Sequence, residues 1–337
     1  MASGLTKFGN DLYTGERSVP FVRMRRIWLT IAVVLMAAAV AVPFVRGGGD
    51  FGAGFNFGIE FRGGSQFQVS NAASVEPDLA TEAVHSVVPG TNVRVATVGG
   101  DGVRVQTSQL TDSQTLDVAD ALKTAYKTDT VDDSFIGASW GADITRQALL
   151  GLGVFLALAA IMMAIYFRTW KMSAAAMVAL AHDLVITVGV YALTGFEITP
   201  AAVIGFLTIL GFSLYDTVVV FDKVRENTSE MGDDSTRTFA ETVNLAVNQT
   251  LVRSINTGVV AALPVATILF LGSFVLGADT LRDISLALLV GTIIGTYSTP
   301  FVASPFYSLL REREPLIAAR DKKTMALRAK SLTRASA

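Results

Sequence analysis

Six apolar stretches of about 20 residues each constrain this chain more than any other feature of its sequence. A helix of about 20 apolar residues is long enough to cross a hydrocarbon core of about 30 Å. Hydrophobic residues make up 51% of the chain and charged residues only 17%, which is far from the composition of a soluble protein. The sequence therefore predicts a polytopic α-helical membrane protein with six transmembrane helices, over residues 27–45, 144–167, 172–193, 200–221, 251–276 and 284–307.

Basic residues distinguish the two sides of the membrane. They cluster before the first span, between the second and third, between the fourth and fifth, and after the sixth, and such clusters mark cytoplasmic ends. We therefore expect both termini to be cytoplasmic, with a tail at 1–26, a loop at 222–250 and a basic, disordered, membrane-apposed tail at 308–337. The first span follows arginines without a small-residue cleavage site, so we expect an uncleaved anchor. Residues 46–143 would form an extracytoplasmic domain, and the other five spans would occupy 144–307.

The expected external domain is acidic and lacks cysteine. Residues 46–143 contain six basic and thirteen acidic residues, and the whole chain has no cysteine. An acidic domain of this kind argues against binding nucleic acid or anionic lipid. Without cysteine, no disulfide can stabilise it.

Local patterns give this domain an order of strands and helices. Alternation of apolar and polar residues predicts strands, and recurrence at helical spacing predicts helices. The second helix is indicated by apolar residues that recur at helical spacing, namely Leu116, Ala119, Leu122 and Tyr126. The resulting βαββαβ order is typical of a ferredoxin-like α+β sandwich, with elements near 55–70, 76–88, 91–98, 102–107, 111–128 and 131–139.

Two features of the domain could suggest a bound cofactor, and neither has the required pattern. His85 has no histidine or cysteine at metal-ligand spacing, and we expect it on the surface. Gly63 and Gly64, which follow Gly58 and Glu60, are not part of a glycine-rich loop with the Lys-Ser/Thr pair of a phosphate-binding site. We expect these glycines to form a bulge or turn. The sequence thus predicts no cofactor and no metal.

Four ionisable residues lie within the apolar spans or at their edges. Asp216 is in the fourth span, His182 and Asp183 are in the third, and Arg253 is at the start of the fifth. A charged side chain at the bilayer centre costs about 2.5–3.5 kcal/mol on insertion scales, so such residues face protein or water and usually have a function. His182 could relay protons or remain a neutral, hydrogen-bonded side chain. Since neighbours on a helix point about 100° apart, we expect His182 and Asp183 on different faces.

Helical geometry adds a structural prediction for Asp216. Gly205 and Ser213 share its helix face, and small residues on a face let a neighbouring helix approach closely. Arg253 is expected at a matching depth on an antiparallel neighbour, where it could pair with Asp216. The pair would tune proton binding, which indicates a proton-linked membrane machine. A static pair that only holds the bundle together, or an arginine that reaches the headgroups, are the alternatives.

Four segments, in order along the chain, carry a resemblance to a known family. In these segments the chain resembles the SecF family of protein-export membrane subunits. The similarity extends over nearly the whole length of the chain. Glu60 stands where aspartate is common in that family, and Tyr215 and Lys223 replace a frequent asparagine and arginine. The segments are Gly58-Ile59-Glu60-Phe61-Arg62-Gly63-Gly64, Ala181-His182-Asp183, residues 211–227 around Asp216, and residues 248–257 around Arg253.

The resemblance implies a fold, a location and partners. SecF proteins form an RND-transporter-like half in the bacterial cytoplasmic (inner) membrane, with six spans and an external domain between the first and second. A SecD subunit supplies the other half, and the pair associates with the SecYEG channel; YidC and YajC are further candidate partners. Proton flow past Asp216, Arg253, His182 and Asp183 would then drive motions that pull on an exported, unfolded polypeptide. This role needs no enzymatic activity.

Three other classes of protein are alternatives. A self-sufficient RND exporter of lipids or small molecules would normally need twelve spans or a homo-oligomer. An intramembrane aspartyl protease would need two carboxyl groups that meet across adjacent spans. The chain has two such candidates, Asp183 and Asp216. No span after Asp216 contains the second motif of such a protease, Gly-x-Gly-Asp. A purely structural scaffold would make no use of a titrating group.

Overall fold

The structure, a computed structural model, describes residues 3–98, 100–229, 231, 235–272 and 279–335. Within these residues, six helical segments are long and apolar enough to cross a membrane, which confirms the six predicted spans. The α-helices, in chain order, are α1 (Ser3–Thr14), α2 (Arg25–Arg46), α3 (Ile59–Arg62), α4 (Pro77–Val87), α5 (Asp112–Tyr126), α6 (Ala138–Phe167), α7 (Trp170–Thr194), α8 (Pro200–Ser229), α9 (Phe239–Phe270), α10 (Asp279–Ser298), α11 (Ser304–Arg311) and α12 (Pro315–Ala335). The strands are β1 (Asn56–Phe57), β2 (Gly64–Val69), β3 (Val93–Val98), β4 (Gly102–Thr107), β5 (Val131–Ile136) and β6 (Glu197–Ile198).

The fourth and fifth spans belong to helices that are longer than predicted. α8 continues beyond its predicted end and α9 begins at Phe239, so much of the loop expected at 222–250 is helical. α9 starts there because Thr238 and Glu241 form a reciprocal capping box. The amide of Thr238 donates to Glu241 Oε2 at 2.9 Å, and the amide of Glu241 donates to Thr238 Oγ1 at 3.4 Å, which satisfies two free backbone donors. The last residues predicted for the fifth span, 273–276, lie outside the described residues.

Between α2 and α6 the chain forms the predicted ferredoxin-like domain. Its sheet has the order β3-β4-β2-β5, and all neighbouring strands are antiparallel. Phe67 and Val105 of the sheet share a core with Val84 of α4 and Val118 of α5. Leu116, also in α5, is 67% exposed. Leu116 lies about 200° around the helix from the buried Val118.

The strand predicted at 55–70 is interrupted. β1 ends at Phe57, the short helix α3 follows, and β2 begins only at Gly64. Gly63 (φ 76°) and Gly64 (φ 145°) make the turn that was expected at these positions, in a backbone region that favours glycine. A Cβ atom on Gly64 would lie 2.5 Å from the carbonyl oxygen of Thr107. The turn therefore brings the chain close to β4.

Glycines allow α8 and α10 to pack closely inside the membrane bundle. A Cβ atom on Gly205 of α8 would lie 2.6 Å from the Cβ of Ala287 on α10. A Cβ atom on Gly295 of α10 would lie 3.1 Å from the Cβ of Ser213 on α8. The small-residue face predicted for α8 therefore contacts a neighbouring helix. The sixth span also contains a π-helical turn, Thr299–Ala303, between α10 and α11, a local geometry that is frequent at functional sites.

The two ends of the described chain are helical and contact α9. Gln249 of α9 donates from Nε2 to the carbonyl oxygen of Tyr13 in α1 at 3.2 Å. Arg328 of α12 forms an ion pair with Glu241 of α9 at 2.6 Å. The expectation of a disordered C-terminal tail is therefore wrong for its described part. Arg328, a basic residue of this tail, is paired with a carboxylate of the protein itself.

Candidate intramembrane proton site

The carboxyl of Asp216 lies inside the helix bundle. Its helix, α8, buries this side chain to 6% exposure against α9 and the π-helical turn. Asp216 Oδ1 accepts a hydrogen bond from Ser254 Oγ of α9 at 2.8 Å. Thr299 of the π-helical turn also lies near this carboxyl, but its hydroxyl bonds that of Thr217 at 3.0 Å. Asp216 Oδ2 is buried, and no described residue gives it a hydrogen bond of acceptable geometry.

Arg253 does not form the predicted pair with Asp216. Its Nη2 lies 3.4 Å from the hydroxyl of Tyr215, and both side chains are exposed on the surface of the described bundle. The physical reason is the 100° rotation between neighbouring residues, which points Ser254 at Asp216 and places Arg253 beside Tyr215 at the bundle surface. Because α9 begins at Phe239, Arg253 also lies about 21 Å along its helix, not at its start. Among the described residues these two side chains make no direct ion pair, although Arg253 is near enough to interact electrostatically with the Asp216 carboxyl.

His182 and Asp183 meet, contrary to the prediction that they occupy different faces. His182 Nδ1 lies 3.1 Å from Asp183 Oδ1, and both residues are buried. Side-chain torsions let neighbouring residues on a helix reach each other, and the middle of α7 is covered by other helices. Asp183 Oδ2 accepts hydrogen bonds from Ser213 at 2.5 Å and from Ser298 at 2.9 Å. Asp183 is thus the centre of a second buried polar cluster.

This second cluster continues to α10. His182 Nε2 lies 3.3 Å from the hydroxyl of Tyr297, and the two rings pack edge to face at a centroid distance of 5.6 Å. The sequence interpretation missed Tyr297, Ser298 and Ser254. Their only signal is a hydroxyl group within an apolar span, and the sequence contains many such residues that bond only their own helix. Thr208, for example, donates to the carbonyl oxygen of Ile204 at 2.8 Å.

The two buried carboxyls use different partners. Asp183 is held by Ser213 and Ser298, whereas Asp216 is held by Ser254. Their clusters are adjacent, because Ser213 lies one turn before Asp216 on α8. The described residues place no hydrogen bond between the two carboxyls.

The glycine motif and Glu60 lie outside this bundle, beside the connection between α7 and α8. The amide of Gly58 donates to the carbonyl oxygen of Ile198 at 3.0 Å. Burial raises the pKa of the Glu60 carboxyl, and the nearby carboxylate of Glu197 adds to this shift. Glu60 Oε2 is buried and has no hydrogen-bond partner in the described part of the chain. The motif therefore belongs to the contact between the sheet domain and the membrane bundle.

Together these features define a class of protein. A bundle of six apolar helices that buries carboxyl groups, with a ferredoxin-like domain between its first two spans, is an RND-like membrane half. Two family descriptions match parts of the chain. Residues 117–313 match the family described as "Protein export membrane protein SecD/SecF, C-terminal", and residues 51–70 match the "SecD/SecF GG Motif".

Similar proteins narrow the class further. The chain is 42% identical to the protein translocase subunit SecF of Streptomyces coelicolor, over 97% of this chain and 86% of that protein. It is 39% identical to SecF of Mycobacterium tuberculosis, over 93% of this chain and 72% of that protein. The crystal structure of SecDF from Thermus thermophilus, a translocon-associated membrane protein, superposes with a TM-score of 0.77 at 30% identity.

That superposition covers 88% of this chain but only 39% of the SecDF chain, so the chain spans about two fifths of the length of that neighbour. The chain belongs to the SecF branch of the SecD/SecF family, whose members are accessory subunits of the Sec protein translocase. It is accordingly a multi-pass membrane protein, and its relatives are transport subunits.

Proposed function

We propose that this chain joins a SecD-like subunit and uses the proton motive force to promote the export of proteins across the bacterial cytoplasmic membrane. Both termini would face the cytoplasm, and the sheet domain would meet the exported, unfolded polypeptide outside. The SecYEG channel would be the main further partner, with YidC and YajC as additional candidates. No enzymatic step is part of this proposal.

The observation that carries the proposal is the buried carboxyl of Asp216. Its Oδ1 is held by Ser254, whereas Oδ2 lacks a hydrogen bond from the described residues. A buried carboxylate oxygen without a partner is costly, so a proton or a donor from a second subunit would stabilise it. Transfer of one charge through the membrane potential is worth about 2.3 kcal/mol per 100 mV. Repeated protonation of Asp216 could therefore supply energy for motion.

Arg253 supports the need for a partner subunit. It is exposed in the middle of α9 together with Tyr215. Exposure of a guanidinium to lipid at that depth is costly, and a SecD-like half packed against this surface would cover it. The length relation to SecDF, in which this chain matches 39% of a longer polypeptide, is consistent with such a second half. Proton coupling would then use Asp216 and Arg253, with His182 and Asp183 as a neighbouring relay.

The decisive experiment compares Asp216→Asn with Asp222→Asn in export into membrane vesicles, with and without a proton gradient. The asparagine at 216 keeps the shape of the side chain but cannot titrate. Asp222 lies later on the same helix and accepts a hydrogen bond from Tyr166 at 2.7 Å, which makes it the matched control. We expect Asp216→Asn to lose the stimulation by the gradient while a pull-down still recovers the SecD-like partner. Wild-type stimulation in Asp216→Asn would contradict the proposal.

A further inference from the structure

A polar junction connects the sheet domain to the membrane bundle. Glu197 lies in β6, on the short connection between α7 and α8. Its carboxylate accepts hydrogen bonds from Arg104 Nη1 at 3.1 Å and from Gln106 Nε2 at 2.8 Å. Arg104 and Gln106 both belong to β4, an inner strand of the external sheet, and both are buried. One side chain of the connection therefore holds two side chains of the sheet.

The backbone adds a second set of contacts at the same place. β1 and β6 pair in parallel, with Asn56 opposite Glu197 and Phe57 opposite Ile198. Asn56 Nδ2 also donates to the carbonyl oxygen of Gly195 at 2.5 Å. The four-residue segment 195–198 is thus fixed to the external domain by main-chain pairing as well as by an ion pair.

The same connection is firmly attached to α8. Thr199 Oγ1 accepts from the amide of Ala202 at 3.2 Å, which caps the first turn of the helix, and donates to Asp283 Oδ2 of α10 at 2.9 Å. From Pro200 the helix continues without interruption to Asp216, a distance of about 24 Å along one rod. A displacement of α8 at Asp216 therefore also moves the residues that hold the external sheet.

We propose that Glu197 is a positioning residue that fixes the external sheet to the outer end of α8 and so transmits movement of that helix to the external domain. This inference rests on the proposed proton-driven function and names the path by which its motion leaves the membrane. Removal of the carboxylate takes a hydrogen-bonded charge partner from the buried guanidinium of Arg104, and loss of such a partner is destabilising. The junction should therefore loosen while the bundle and the sheet keep their own cores.

The rigidity of this junction can be tested without any proton flow, by measuring the distance between a label on the sheet domain and a label on the bundle. Because the chain has no cysteine of its own, spin labels can be attached at Glu82→Cys on α4 and Leu193→Cys at the outer end of α7, both exposed. In the full chain with its SecD-like partner, we expect a narrow distance distribution. Glu197→Gln should broaden it, whereas Glu76→Gln, at an exposed glutamate of the same domain, should not. An equally narrow distribution in Glu197→Gln would overturn the proposal.

Protein export into membrane vesicles tests whether movement of α8 reaches the external domain through this junction. Glu197→Gln should lose the stimulation by the gradient and keep gradient-independent export. Phe57 and Ile198 are register partners of paired strands, so their Cα atoms are close enough for a disulfide. In Glu197→Gln, an oxidised disulfide between Phe57→Cys and Ile198→Cys should restore the stimulation, and a reductant should remove it again. The same disulfide should leave the stimulation unchanged in a chain that retains Glu197. Loss of stimulation there would mean that the junction has to open during function, and this would overturn the proposal of a rigid connection.

The two proposals can fail separately. Stimulation that persists in Asp216→Asn would contradict proton coupling at that carboxyl, while the distance measurement on Glu197→Gln would still report on the junction. Conversely, a loss of stimulation in Asp216→Asn, together with unchanged distances and unchanged stimulation in Glu197→Gln, would contradict only the junction.

Discussion

The hydroxyl of Ser254 donates to Oδ1 of Asp216 at 2.8 Å and joins α9 to the buried carboxyl of α8. The neighbouring Arg253, which has the opposite charge and was expected to make this contact, points to the surface of the bundle with Tyr215. The carboxyl is therefore held by a neutral donor within this chain. A cation on the surface remains available to a partner subunit.

Ser254→Ala tests this contact. Interhelical hydrogen bonds in membranes contribute about 0.6 kcal/mol on average and up to about 1.7 kcal/mol, so we expect a small loss of thermal stability in detergent. Because the hydroxyl acts directly on the carboxyl, the pH profile of gradient-stimulated export should also shift. Thr267→Ala is the control, since Thr267 is on the same helix and its hydroxyl donates to the carbonyl oxygen of Leu263, within that helix. A pH profile that is the same in all three proteins would show that Ser254 has no role in proton binding.

Substitutions in the cluster around Asp183 should have coupled effects on thermal stability. Ser213 and Ser298 both donate to Oδ2 of Asp183, so removal of either leaves one donor in place. We expect Ser213→Ala and Ser298→Ala to be non-additive in thermal stability, with a coupling of about 0.5 kcal/mol or more. A double-mutant cycle in detergent measures this coupling. Strict additivity would mean that the two hydroxyls act independently of the shared carboxylate.

The close approach of α8 and α10 makes Gly205 sensitive to a single methyl group. A Cβ atom there would lie 2.6 Å from that of Ala287, whereas one on Gly211 would meet nothing within 4 Å. We expect Gly205→Ala to destabilise the chain by about 1–3 kcal/mol through overpacking. Gly211→Ala, the same change six residues later on the same helix, should be neutral or slightly stabilising. Equal thermal stability of the two variants in detergent would contradict the packing described here.

Glu60 should make stability depend on pH. Burial raises the pKa of its carboxyl, Glu197 and Asp283 act in the same direction, and Arg104 opposes them. In the window between the ordinary value and the raised value, the folded protein holds a proton that the unfolded chain has lost. Stability due to this group therefore falls as pH rises through that window.

Glu60→Gln should abolish that contribution. The variant should be more stable than the native chain at neutral pH, and the difference should vanish below the ordinary pKa of a glutamate. Unfolding temperatures of the full chain in detergent as a function of pH measure the effect. Glu82→Gln, at an exposed position of the same domain, is the control. A native chain that is the more stable one at neutral pH would show that the Glu60 carboxylate is stabilised in the fold rather than destabilised by burial.

The sequence by itself determined the six spans and the βαββαβ order of the external domain. Apolar runs of membrane length and the alternation of strand residues are local properties, so they can be recognised without knowledge of any partner. The turn at Gly63 and Gly64 was predictable for the same reason. Helical spacing alone does not determine burial: Leu116 has that spacing in α5, yet its side chain is 67% exposed because the sheet covers another face of the helix.

Only the tertiary structure decided which side chains meet inside and beside the bundle. The rotation of α9 about its axis places Ser254, and not the neighbouring Arg253, in contact with Asp216. The sequence of a span does not specify this rotation. Side-chain torsions and the surrounding helices bring His182 to Asp183 despite their 100° separation. Glu197 and Arg104 are 93 residues apart in the chain. Their contact exists because the external sheet lies on the connection between α7 and α8, a long-range arrangement that no local pattern encodes.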